Sequence, residues 1–183
     1  MFRPKVEIVF EDSDDEEIIN EGKEEVTILY SDGGTNKTTG DEGWGSVVQQ
    51  DGKDVISSYT HLLPDMKTRE VSLPRGIGKR TIVVSKFNDV ASQQTNGAEL
   101  LALVVALRIA SKVSSVECIK CDSMVAISWA TKGPLSKTKK NMDKEKIRYI
   151  DESIKLKKEF ESRGGIIEKI SGGENLSDNG WHV

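Results

Sequence analysis

Four acidic residues stand in four separate local contexts along this chain and together have the makings of one metal site. Asp32 stands at the end of an apolar run, Val26-Thr27-Ile28-Leu29-Tyr30, and is followed by Gly33-Gly34. Glu99 enters a long apolar helix. Asp122 closes a second short strand just before Ser123, and Asp178 lies near the C-terminus. Strand ends and helix starts are where α/β folds place their chemistry. Carboxylates gathered there would repel one another unless a divalent cation neutralised them. Oxygen-only ligands favour a hard ion, Mg²⁺ or Mn²⁺.

Each residue alone has a simpler reading. Asn96-x-x-Glu99 is a capping box, with Glu99 closing the helix N-terminus. Asp122 is suited to cap the helix that follows it. Asp32-Gly33 and Asp178-Asn179-Gly180 are turn sequences. Separate caps and turns do not predict the conjunction of all four.

The elements that must position these groups follow from the apolar pattern. Residues 26–32 read as a buried strand and 43–50 as a second. Asp51-Gly52 is a hairpin signal, and 54–60 is the returning strand. Residues 64–93 read as an insertion. They hold Pro64, Pro74, Gly76, Gly78, a strand-like Thr81-Ile82-Val83-Val84, and the cations Lys67, Arg69, Arg75, Lys79 and Arg80. A connection this long is usually functional or mobile. Residues 97–112 form a helix with almost no polar face, hence buried on both sides. A strand at 115–121, a short helix at 123–131, a charged helix from about 141 to 163 and a strand at 165–170 complete the chain. The expected class is α/β: a five-stranded mixed sheet, three antiparallel strands and then two parallel, flanked by helices.

Composition sets the remaining bounds. The formal charge is -4, but residues 11–25 hold nine acidic side chains and one lysine, leaving 21 acidic and 25 basic residues elsewhere. Residues 1–23 therefore read as an acidic, disordered arm, and 24–183 as a mildly basic domain. A partner-binding or self-masking role for the arm is the alternative. No stretch is long and apolar enough to cross a bilayer. Met1-Phe2-Arg3-Pro4-Lys5 is not followed by a secretory apolar region. Cys118 and Cys121 make no disulfide framework, which fits a reducing compartment. An intracellular monomer, cytoplasmic or nuclear, is expected. Lys132, Lys137, Lys139 and Lys140 form a basic run suited to phosphates, or simply a solvated helix start. Trp44 reads as core, whereas Trp129 suits either core or stacking on nucleic acid.

The order Asp-Gly-Gly, Gly-Trp-Gly-Ser-Val-Val, Thr-Asn-Gly-Ala-Glu-Leu-Leu-Ala, Cys-Asp-Ser-Met and Asn-Leu-Ser-Asp resembles type 1 ribonuclease H over residues 26–180. The resemblance implies a ribonuclease H-like fold and cleavage of the RNA strand of RNA/DNA hybrids with two divalent ions, Mg²⁺ or Mn²⁺ in its place. It implies Asp32, Glu99, Asp122 and Asp178 as catalytic metal ligands. Gly33, Asn96 and Ser123 fall at positions implied to meet nucleic acid. The family's loop histidine, which assists turnover, has no counterpart in Ile170-Ser171-Gly172-Gly173-Glu174. The family's closing helix is expected to be absent or very short. A junction resolvase or integrase-like nuclease would share the carboxylates, and a catalytically weakened nucleic-acid-binding module is the remaining alternative.

Overall fold

The computed structural model describes residues 25–35, 41–88 and 94–178, so the acidic arm at 1–23 lies outside the described residues. Six strands form one mixed sheet: β1 (Thr27–Thr35), β2 (Gly43–Gln49), β3 (Thr68–Ser72), β4 (Lys79–Ser85), β5 (Val116–Cys121) and β6 (Ile166–Lys169). Their order across the sheet is β3-β4-β2-β1-β5-β6. β1–β2, β2–β4 and β3–β4 are antiparallel, whereas β1–β5 and β5–β6 are parallel.

Six strands replace the five expected, and the third antiparallel partner is not the one anticipated. Asp51-Gly52 does reverse the chain, with Gly52 at φ 85°, and Asp54 pairs with Val48 through an isolated bridge. The return stops there. The Asp54 carboxylate accepts from the Ile56 amide at 3.0 Å and from the Thr81 amide at 3.1 Å. Such a side chain competes with the ladder for backbone donors. The chain leaves the sheet in two short 3₁₀ turns, Ile56–Ser58 and Thr60–Leu62. The segment 64–93 supplies β3 and β4 instead, and β4 takes the place beside β2.

Helix α1 (Gln94–Ala110) lies against β1 and β2. Its residues Gly97–Leu107 are all buried, so it forms the centre of the core with Leu29, Val47, Val83 and Ile119. Helices α2 (Met124–Lys132), α3 (Ser136–Lys139) and α4 (Lys144–Ser162) follow β5. α4 is amphipathic and packs Tyr149, Ile150 and Phe160 toward α1 and α2. α1 already contains Asn96, so Asn96 is helical rather than a cap, and the capping box does not form in that register. A smaller cluster, Trp44 and Ile82 backed by Val71 and Leu73, packs on β2, β3 and β4. No helix among the described residues is long and apolar enough to cross a membrane.

Candidate metal centre

β1 and β5 run parallel with Ser31 opposite Cys121. The next residue after each is a carboxylate, Asp32 within β1 and Asp122 just past the end of β5, so the two stand side by side. Glu99 reaches them from the second turn of α1. Gly33 makes that approach possible, because a Cβ there would lie 2.5 Å from both the Ala98 carbonyl carbon and the Glu99 nitrogen. Any side chain at 33 would lift the helix off the strand. The result is a triad in which one oxygen from each of Asp32, Glu99 and Asp122 lies within 4.8 Å of the others. Asp178 stands outside that triad but lines the same cavity of about 320 Å³, with Gly33, Gly34, Thr35 and Trp44.

Neighbouring polar groups fix the orientation. The Ser123 hydroxyl caps α2 by accepting from the Ala126 amide at 3.1 Å, which leaves Asp122 free of capping duty. Asp122 Oδ1 instead accepts from Asn175 Nδ2 at 3.2 Å. The same Asn175 amide donates to the Ser31 carbonyl at 2.9 Å, and Asn175 Oδ1 accepts from the Ser177 amide at 3.0 Å. Buried Asn175 thus ties residues 175–178 to β1 and to the Asp122 carboxylate at once. The 3₁₀ turn Gly172–Glu174 abuts the site as well, since a Cβ on Gly172 would lie 3.1 Å from Asp122 Oδ2.

The electrostatics are those of buried carboxylates crowded together. Asp32 is 6% exposed and Glu99 9%. Burial first, then the charges of Asp122 and Asp178, pushes Asp32 up to about 7. Burial first, then Asp32 and Asp122, pushes Glu99 up to about 9. Glu99 Oε2 is buried with no hydrogen-bond partner among the described residues. An uncompensated buried carboxylate oxygen is costly. A hard divalent cation would supply the missing partner and offset the repulsion, and an all-carboxylate donor set is the kind such an ion takes. The residues present fit a divalent metal.

The other sequence candidates fall around this centre. Asn96 is half-buried in the first turn of α1, where the neighbouring Thr95 hydroxyl lies 3.3 Å from that of Thr35 at the cavity wall. Lys137, Lys139 and Lys140 are exposed on α3 and just beyond it. Trp44 and Trp129 are both buried, and the Lys146 ammonium stands 5.8 Å from the Trp129 ring centre, which assigns Trp129 to the core. Sequence reasoning missed Asn175, Ser177 and Arg80. By sequence Arg80 is one of the cations of the 64–93 insertion, yet it is 2% exposed and donates to the Ser46 hydroxyl at 3.2 Å and to the Ser177 carbonyl. A signal was present, since Arg80 precedes the apolar run Ile82-Val83-Val84 at even spacing from Ile82 and so shares its strand face.

No protein-family model matches this chain, and no curated protein matches it. Among solved structures, the solution structure of the PFV RNase H domain is similar. The identity is 17% and the TM-score 0.46, over 86% of this chain and 92% of that one.

Proposed function

We propose that this chain is a divalent-metal-dependent endonuclease that hydrolyses the RNA strand of RNA/DNA hybrids. The observation that carries the reading is the convergence of Asp32, Glu99 and Asp122 within 4.8 Å, with Glu99 Oε2 left without a partner among the described residues. The sequence resemblance to type 1 ribonuclease H supports it with five motifs in the same order. Asp32, Glu99, Asp122 and Asp178 would hold two divalent ions, Mg²⁺ or Mn²⁺. Held by these carboxylates, such ions would supply activation of a water for attack on a phosphodiester and stabilisation of the departing 3′ oxygen.

The chain's own residues do the rest. Asn175 holds Asp122 in place through its side-chain amide. Gly33 and Gly34 give the cavity a low wall on the β1 side. Lys137, Lys139 and Lys140 offer charge to phosphates, which gives affinity without reading bases. Preference for RNA would rest on 2′-hydroxyl contacts across the wide minor groove.

The test is cleavage of labelled RNA/DNA hybrid, duplex RNA, duplex DNA and a four-way DNA junction, each with Mg²⁺ and with EDTA. Mg²⁺-dependent cleavage of the hybrid's RNA strand is expected. Asp32→Asn and Asp122→Asn should abolish it while the fold is retained. Near-normal turnover in both variants would sink the site assignment, and junction cleavage in place of hybrid cleavage would move the enzyme to the resolvase class.

A further inference from the structure

Arg80 is a buried cation on β4, and burying a guanidinium is costly unless its donors are used. One donor group, Nη1, serves both the Ser46 hydroxyl at 3.2 Å and the Ser177 carbonyl. Ser177 Oγ in turn lies 2.9 Å from Ser46 Oγ. Ser46 sits opposite Asp32 in the β1–β2 register. The charge of Arg80 also faces Asp54, Asp32 and Asp178. Asp54 is already engaged by the Ile56 and Thr81 amides.

The segment 175–178 is therefore fastened at two places. At one end Asn175 binds Ser31 and Asp122. At the other, Ser177 binds β2 and β4 through Ser46 and Arg80. The Asp178 amide closes the turn on the Asn175 carbonyl at 3.1 Å. Asp178 has no helix or strand of its own to hold it among the described residues. We infer that Arg80 is a positioning residue for Asp178: by clamping the Ser177 carbonyl it fixes the turn that presents the fourth carboxylate to the metal centre. The inference rests on the metal-centre reading above.

The experiment is Mn²⁺ titration by calorimetry on the full chain, with no nucleic acid present. Arg80→Met should weaken Mn²⁺ binding about ten-fold, the usual scale for losing a group that orients a metal ligand. Arg80→Lys keeps the charge but lacks the planar fork, so it should recover part of the loss. In an Asp178→Asn background neither substitution should weaken binding further, because a residue that acts through Asp178 cannot act without it. Unchanged affinity in Arg80→Met, or equal weakening with and without Asp178, overturns the inference. If Arg80→Met fails to fold, Arg80→Lys carries the same comparison. Absence of Mn²⁺ binding in the unsubstituted protein overturns the metal-centre reading and this inference with it.

Discussion

Gly33 and Glu99 touch through their main chains: a Cβ on Gly33 would stand 2.5 Å from the Glu99 amide nitrogen. Glu99 meets Asp32 because α1 rests directly on β1 at this point. Gly33→Ala should therefore push a helix backbone, which cannot yield as a flexible side chain can. The expected cost is about 1–3 kcal/mol in urea denaturation, with weaker Mn²⁺ binding in calorimetry. Gly173→Ala, where a Cβ meets nothing within 4 Å, is the control and should change neither. Full metal affinity in Gly33→Ala would show that the close approach does not set the ligand geometry.

Stability without metal should fall as pH rises. Asp32 and Glu99 are pushed up to about 7 and about 9 in the folded protein, from ordinary values of 3.8 and 4.5. Between those limits the folded state holds protons that the unfolded state has released, so the slope of stability with pH is negative. Their contribution is fully present below about pH 4 and is lost progressively through about pH 9. Asp65 works the other way. Hydrogen bonding to the Arg108 guanidinium holds its carboxyl well below the usual range, so its contribution is lost as the solution becomes acid. Thermal melts in EDTA should show greatest stability in mildly acid solution, and Mg²⁺ should restore stability mainly above pH 7. Asp32→Asn should flatten the alkaline decline. A metal-free protein equally stable at pH 5 and pH 9 would contradict the crowded-carboxylate account.

Most of the site was legible because its parts sit on elements with strong local signals. Asp32 and Asp122 follow the apolar runs of β1 and β5, and Glu99 lies in a helix whose nearly continuous apolar run marks it as buried. What was not legible depended on long-range polar contacts. The expected returning strand at 54–60 has good strand composition, yet Asp54 accepts two backbone amides and ends it. The segment 64–93 reads as a basic insertion, and by type alone Arg80 is one of its cations. The strand face of Arg80 is readable from Ile82, but its partners, Ser46 and the Ser177 carbonyl 97 positions away, are not. Asn96 likewise falls inside α1, whose extra first turn no sequence signal marked.

The turn at 172–174 offers a place to add a proton relay. It has no histidine, and it lies against Asp122, since a Cβ on Gly172 would come within 3.1 Å of Asp122 Oδ2. Gly172 is thus too close for substitution without displacing the Asp122 carboxylate. Gly173 is the better site, with open space around its Cβ position. Gly173→His should raise multiple-turnover cleavage of hybrid more than single-turnover cleavage, because an imidazole there can move a proton and help release product. Steady-state and rapid-quench rates on the same preparation would measure the two. Equal effects on both, or none, would count against the role.

The acidic arm is the last feature to test. Residues 11–25 carry nine acidic side chains and one lysine, and the rest of the chain has 25 basic against 21 acidic residues. If the basic run Lys137, Lys139 and Lys140 takes phosphates as proposed, an arm of that charge would compete with them for it. Deleting residues 1–23 should tighten hybrid binding, most visibly at low salt. The Debye length is about 10 Å at 0.1 M salt, so the arm's effect should fade as salt rises. Nucleic-acid binding itself also weakens with salt, so the quantity to compare is the ratio of truncated to full-length affinity at each salt. Fluorescence anisotropy with an Asp122→Asn background prevents cleavage during the measurement. The ratio should exceed one at low salt and approach one at high salt. A ratio of one throughout would mean that the arm does not contact the hybrid-binding face, and a ratio below one would mean that it assists binding.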